Sequence, residues 1–77
     1  MKVIISGISI YSEIIGKKKE VDVNEGVTVG ELISLLLPKD APSIYGLAAF
    51  VNGSPSSMDR RLKEGDLLEI APNFSGG

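Results

Sequence analysis

The chain has 77 residues, eight basic and ten acidic side chains, a net charge of −2 and an apolar fraction of 43%. That length admits one small domain near the lower limit for independent folding, and the composition suits an aliphatic core rather than disorder. With no cysteine and no histidine, the chain lacks a disulfide framework, a thiolate nucleophile, a Cys-based zinc site and the commonest acid–base group near neutral pH. A free-standing enzyme is therefore not expected. No basic excess marks a nucleic-acid partner. No apolar run is long enough for a membrane span and no signal-peptide pattern opens the chain, so the expected location is cytoplasmic.

Lys2-Val3-Ile4-Ile5-Ser6-Gly7-Ile8 is rich in β-branched residues and reads as a first strand. Alternation puts Val3 and Ile5 on one face, Ile4 and Ser6 on the other. Ser12 to Gly16 has the length of one helical turn closed by glycine, and Lys17-Lys18-Lys19 reads as a solvated turn. Glu20-Val21-Asp22-Val23-Asn24 alternates polar and apolar residues, a half-buried second strand. Thr28-Val29-Gly30-Glu31 fits a capping box, in which the Thr28 hydroxyl accepts from Glu31 N–H and the Glu31 carboxylate reaches back. The helix it opens runs to Leu37 and is stopped by Pro38. Leu32, Ile33 and Leu36, with Val29 and Leu37, form its apolar face. Each one fully buried contributes about 1.5–3 kcal/mol.

Lys39 to Gly46 reads as an irregular connection. Leu47 to Val51 is a third strand entering Asn52-Gly53, a hairpin-turn dipeptide. Ser54-Pro55 forms at most a short edge strand. Leu62 is a lone apolar anchor, and Lys63-Glu64-Gly65-Asp66 a tight turn. Leu67 to Ala71 is the final strand, with Leu68 and Ile70 facing in and Leu67, Glu69 and Ala71 facing out. Asp59, Glu64, Asp66 and Glu69 read as solvated acids, not metal ligands.

This order predicts an α+β fold in which one main helix covers one face of a small mixed sheet of four to five strands. The open face carries Ile4, Phe50 and Leu67, an expected partner surface. Pro72 has no N–H to donate, so pairing should stop there. The domain is expected over 1–71, with a flexible tail over 72–77, about 20 Å long if extended. Gly76 and Gly77 let the tail's end enter a narrow channel, and the α-carboxylate of Gly77 is the expected working group.

Thr28-Val29-Gly30-Glu31-Leu32, Val51-Asn52-Gly53, Leu62 to Ile70 and the Gly76-Gly77 ending together resemble the β-grasp (ubiquitin-like) sulfur carriers. The length, the long connection after the helix and the ending from Ala71 look most like the small subunit of molybdopterin synthase. The chain departs from it at Asn73, where a second proline is usual, and at Phe74, where a small aliphatic is usual. It also departs at Ser6, Pro55 and Ala71, which replace bulky open-face residues. The resemblance implies that an E1-like enzyme, using ATP, adenylates the Gly77 carboxylate, and that sulfur then replaces AMP to give a thiocarboxylate. It implies delivery of that sulfur to a pterin precursor in the large synthase subunit, with all catalytic side chains on partners and no cofactor bound by the chain. Pro72, Asn73, Phe74 and Ser75 would set the tail's reach and anchor it. A thiamine-type carrier, or a modifier joined to lysines through Gly77, would use the same activation. An RNA-binding β-grasp module shares the Val51-Asn52-Gly53 and Gly65-Asp66 turns, but lacks a reason for the diglycine and would need a basic surface.

Overall fold

A computed structural model describes residues 1–37 and 47–72. Strand β1 (Lys2–Gly7) is followed by a single turn of helix, α1 (Tyr11–Ile14), then β2 (Lys19–Asp22) and the main helix α2 (Val29–Leu36). Strands β3 (Leu47–Val51), β4 (Ser54–Pro55) and β5 (Leu67–Pro72) complete a five-stranded sheet in the order β2-β1-β5-β3-β4. β5 is the central strand. It runs parallel to β1 and antiparallel to β3, so the sheet is mixed, as the element order predicted.

The expected alternation holds. Val3 and Ile5 of β1, Val51 of β3, and Leu68 and Ile70 of β5 are fully buried beneath Val29, Leu32 and Ile33 of α2. Leu62 joins this core from its polar stretch. Leu36 and Leu37 are only half-buried at its margin, and Leu35 is exposed. Leu37 is extended (φ −89°, ψ 136°), the conformation imposed on a residue that precedes proline.

The start of α2 is fully accounted for. Val29 N–H donates to Arg60 O at 2.8 Å, Gly30 N–H to Met58 O at 2.9 Å, and Glu31 N–H to Thr28 Oγ1 at 3.1 Å. Thr28 N–H donates to the Glu31 carboxylate at 2.9 Å, completing the capping box. Acceptance from the Thr28 backbone, then the Thr28 hydroxyl, holds the Glu31 carboxyl below its ordinary range, with a smaller contribution from Arg61. All of these donors face protein oxygens, so this terminus is a structural joint.

Several expectations change, among them the short helix, which spans Tyr11–Ile14 rather than Ser12 to Gly16, and the main helix, which ends at Leu36. The first strand ends at Gly7, because Ser9 enters the left-handed region (φ 58°) and turns the chain; Ile8 N–H still donates to Ile70 O. The second strand begins at Lys19 and ends at Asp22, although Met1 and Val23 continue the pairing through their backbones. Ala71 lies on the outward face by alternation, yet is buried beside Ala48, its partner in β3. Another concerns Asp66, taken up below. The connection expected over residues 39–46, and Pro38 before it, lie outside the described residues.

Gly7 carries a requirement that is tertiary in origin. A Cβ there would sit 2.1 Å from the Tyr11 carbonyl oxygen and 2.8 Å from Ser12 N, so α1 can approach β1 only over a glycine. The Gly7→Ala variant is expected to lose about 2–3 kcal/mol of stability, the upper part of the range for overpacking because backbone must move. Urea unfolding measures it, and a loss below about 0.5 kcal/mol, the scale of a neutral surface change, would contradict the close packing.

Candidate functional site

The site is built outward from β5. Because this strand is paired on both sides, its position is fixed by β1 and β3 together: Leu68 lies between Ile5 and Val51, and Ile70 between Gly7 and Ala49. The first residues of β5 are fixed further by side chains. Asp66, read from sequence as a solvated acid, is buried. Its Oδ1 accepts from Asn52 Nδ2 at 2.9 Å and its Oδ2 from Lys63 N–H at 2.8 Å. Asn52 Oδ1 accepts in turn from Leu67 N–H at 3.0 Å, and Asn52 N–H donates to Leu67 O at 2.9 Å. Asn52 adopts φ 52° and Gly53 φ 86°, the paired left-handed residues of a tight hairpin turn.

The two turns that sequence shows as separate signatures are therefore one hydrogen-bonded joint. It also holds β1, since Ile4 N–H donates to Asp66 O at 2.8 Å and Gly65 N–H to Lys2 O at 2.7 Å. Glu64, the neighbouring acid, accepts from Lys2 N–H at 3.1 Å.

From this joint β5 crosses the sheet and delivers Pro72, opposite Leu47, at the far end. Pro72, expected to open the tail, is instead the last residue of the strand, half-buried and in register with Leu47, where its missing N–H is tolerated at the strand's end. Asn73, Phe74, Ser75, Gly76 and Gly77 lie outside the described residues. On the face away from α2, Ile4 and Leu67 are register neighbours and Phe50 sits across from Glu69 and Pro55. All three are half-buried. The structure thus gathers the expected Ile4, Leu67 and Phe50 on one face, with Ser6 and Ala71 as small residues among them.

Little else among the described residues suggests chemistry. No group of three or more Asp, Glu, His or Cys side chains is placed to hold a metal ion, and no helix is long and apolar enough to cross a membrane. Burial pushes the Tyr11 phenol up. A depression of about 500 Å³, lined by Asn24, Glu25, Val27, Glu31 and Leu35 among others, lies at the end of the sheet where β1 begins, opposite the end reached by Pro72.

The sequence matches the ThiS family over residues 9–77, a span that includes the tail. The chain belongs to the ThiS family. Members of this family are β-grasp sulfur carriers activated by E1-like enzymes. Among curated proteins none matches the sequence significantly. Among solved structures, this ThiS-family chain is similar to SAMP1, a small archaeal modifier protein from Haloferax volcanii, with a TM-score of 0.77 at 21% identity and all of both chains covered. It is similar to the putative molybdopterin converting factor subunit 1 of Pyrococcus furiosus, with a TM-score of 0.81 at 24% identity over 96% of this chain and 99% of that one. It is also similar to Urm1 from Trypanosoma brucei, with a TM-score of 0.71 at 18% identity over 99% of this chain and 95% of that one. At these identities the likenesses establish the β-grasp fold.

The Asp66 joint leads to a direct expectation. Asp66→Ala leaves Asn52 Nδ2 and Lys63 N–H without their buried acceptor and should cost about 2–3 kcal/mol, as for hydrogen bonds to a charged group. Glu64→Ala, at an exposed position, should cost under about 1 kcal/mol. Urea midpoints of the two variants test the contrast, and equal small losses would contradict it.

Proposed function

We propose that this ThiS-family chain carries sulfur on the α-carboxylate of Gly77 and donates it in molybdopterin synthesis. The observation that carries the reading is the family match running through Gly76-Gly77. An α-carboxylate has a pKa of about 3.3–3.7, so at neutral pH it is an anion and a poor electrophile. Activation removes that obstacle. A carboxylate oxygen attacks the α-phosphorus of ATP on an E1-like enzyme, pyrophosphate leaves, and Gly77 becomes a mixed anhydride with AMP. A sulfide equivalent then attacks the acyl carbon and AMP leaves, giving the thiocarboxylate. The first step changes bonds at phosphorus and the second at the terminal carbonyl carbon, and both use side chains of partners, which suits a chain with no Cys or His.

The chain has three tasks in this scheme. β5 holds the base of the tail, the tail sets reach, and the open face identifies the partner. Gly76 keeps the channel clear of a Cβ, while Pro72, Asn73, Phe74 and Ser75 span and anchor the tail, Phe74 as its largest apolar contact. Ile4, Phe50 and Leu67 would meet the large synthase subunit. The molybdopterin assignment is supported by the length, the ending from Ala71 and the likeness to the Pyrococcus furiosus converting-factor subunit. In that role the chain is a non-catalytic subunit, binding no cofactor of its own while its activating enzyme consumes ATP.

The likeness to SAMP1 favours a second reading, in which the same adenylate is passed to a lysine amine and Gly77 ends as an amide on a target protein. Higher-mass conjugates in host extract would single it out.

The reading requires a free carboxylate at Gly77 and a slender approach to it. A variant with one alanine appended after Gly77 should support no ATP–pyrophosphate exchange with the activating enzyme. Gly76→Ala should keep the native fold and lose at least about tenfold in rate, the effect of about 1.4 kcal/mol on the barrier. Exchange at an unaltered rate by the extended, untrimmed protein would contradict the proposal.

A further inference from the structure

Among the described residues, Ile8 and Ile10 are two of the large apolar side chains left exposed, at 40% and 57%. They flank Ser9, the left-handed residue that ends β1. A non-glycine residue holds that conformation only when its surroundings fix it, and here they do. Ser12 N–H and Oγ donate to Ser9 O at 3.0 and 2.7 Å, Tyr11 N–H to Ile8 O at 3.1 Å, and Glu13 N–H to Ile10 O at 3.2 Å. The close approach of α1 over Gly7 locks the turn from beneath. Two isoleucines are thus presented on a pre-ordered turn, a form in which apolar contacts lose little on ordering.

The place of this turn gives it meaning. Ile8 N–H donates to Ile70 O at 2.9 Å, so the turn sits at the end of β5, two residues before Pro72. Gly7 N–H donates to Gly16 O at 2.9 Å, which brings the start of the Lys17-Lys18-Lys19 run to the same end of the sheet. All three lysines are exposed, and among the described residues none is in an ion pair. A molecule of net charge −2 therefore has a basic, apolar-tipped end where its tail begins. The five residues after Pro72 reach at most about 17 Å. Any enzyme that takes Gly77 into its active site must face this end.

We infer that Ile8, Ile10 and the adjacent lysines are the docking surface for the E1-like activating enzyme, which meets them with an apolar socket rimmed by acidic side chains beside the tail channel. This rests on the tail reading proposed above and adds the contact that holds the body in place. The isoleucines supply the buried contact and so govern dissociation. The lysines steer encounter, which makes association salt-sensitive.

The test is ATP–pyrophosphate exchange by the host's purified E1-like enzyme, with the full chain varied in concentration. Ile8→Ser combined with Ile10→Ser should raise KM about tenfold, the scale of losing an interface hot spot, while kcat and thermal midpoint stay near wild type. Ile10→Ser alone, at the more exposed site, should shift KM the same way and guards against a folding defect in the pair. Lys17→Glu with Lys18→Glu should raise KM at low salt and flatten its dependence on salt. The inference is overturned if KM is unchanged in either set, or if kcat falls instead of KM rising. The chain extended beyond Gly77 separates the two claims: its activity would sink the tail reading. If it is inactive while the surface variants behave as wild type, only the docking surface is lost.

Discussion

Asp66 lies at the start of the central strand with both carboxylate oxygens occupied by donors from two different turns, the Asn52 amide and the Lys63 backbone. A one-residue slip of β5 would strand that charge without partners and turn Leu68 and Ile70 out of the core. The same residue's carbonyl receives Ile4 N–H, so β1 is tied to the identical register. The positions invoked for the proposed function are all placed relative to this point. It sets Leu67 beside Ile4 on the open face, Ile70 beneath the Ile8 turn, and Pro72 at the exit from the sheet.

In the proposed function, a chain of 77 residues takes part in demanding chemistry through the side chains of its partners. A central strand paired on both sides is the most firmly held element in a small sheet, and here the terminal segment continues directly from it. In the proposed scheme the body fixes the origin of the tail, the tail brings one carboxylate to a partner, and the partner supplies the nucleotide chemistry. ThiS-family carriers are activated by E1-like enzymes, and in the proposed scheme the fold serves as a handle of defined shape.

Much of this was legible in the residues because it is encoded locally. Thr28 and Glu31 are three apart, as a capping box requires, and both its hydrogen bonds form. Asn52-Gly53 announces a left-handed turn, and alternation from Val3 to Ser6 and from Leu67 to Ile70 assigns the faces correctly. What escaped has a tertiary cause. Asp66 looks like any surface acid until Asn52, fourteen residues earlier, is folded against it. Gly7 is needed only because α1 packs on it, and Ala71 is buried although its place in the alternation points it outward. The exposed pair Ile8 and Ile10 was hidden by the apolar run before it, which made Ile8 read as one more strand residue. For the tail the position is reversed: Gly76 and Gly77 speak in the sequence, while Asn73 to Gly77 lie outside the described residues.

The central claim is that the terminal carbonyl of Gly77 holds the sulfur. The most direct measurement is the mass of the C-terminal fragment after incubating the protein with its activating enzyme, ATP and a sulfur donor. The account predicts a fragment ending at Gly77, heavier by the difference between sulfur and oxygen, formed only when ATP is present. A fragment that retains oxygen under these conditions, or sulfur found anywhere other than that terminal carbonyl, would contradict it.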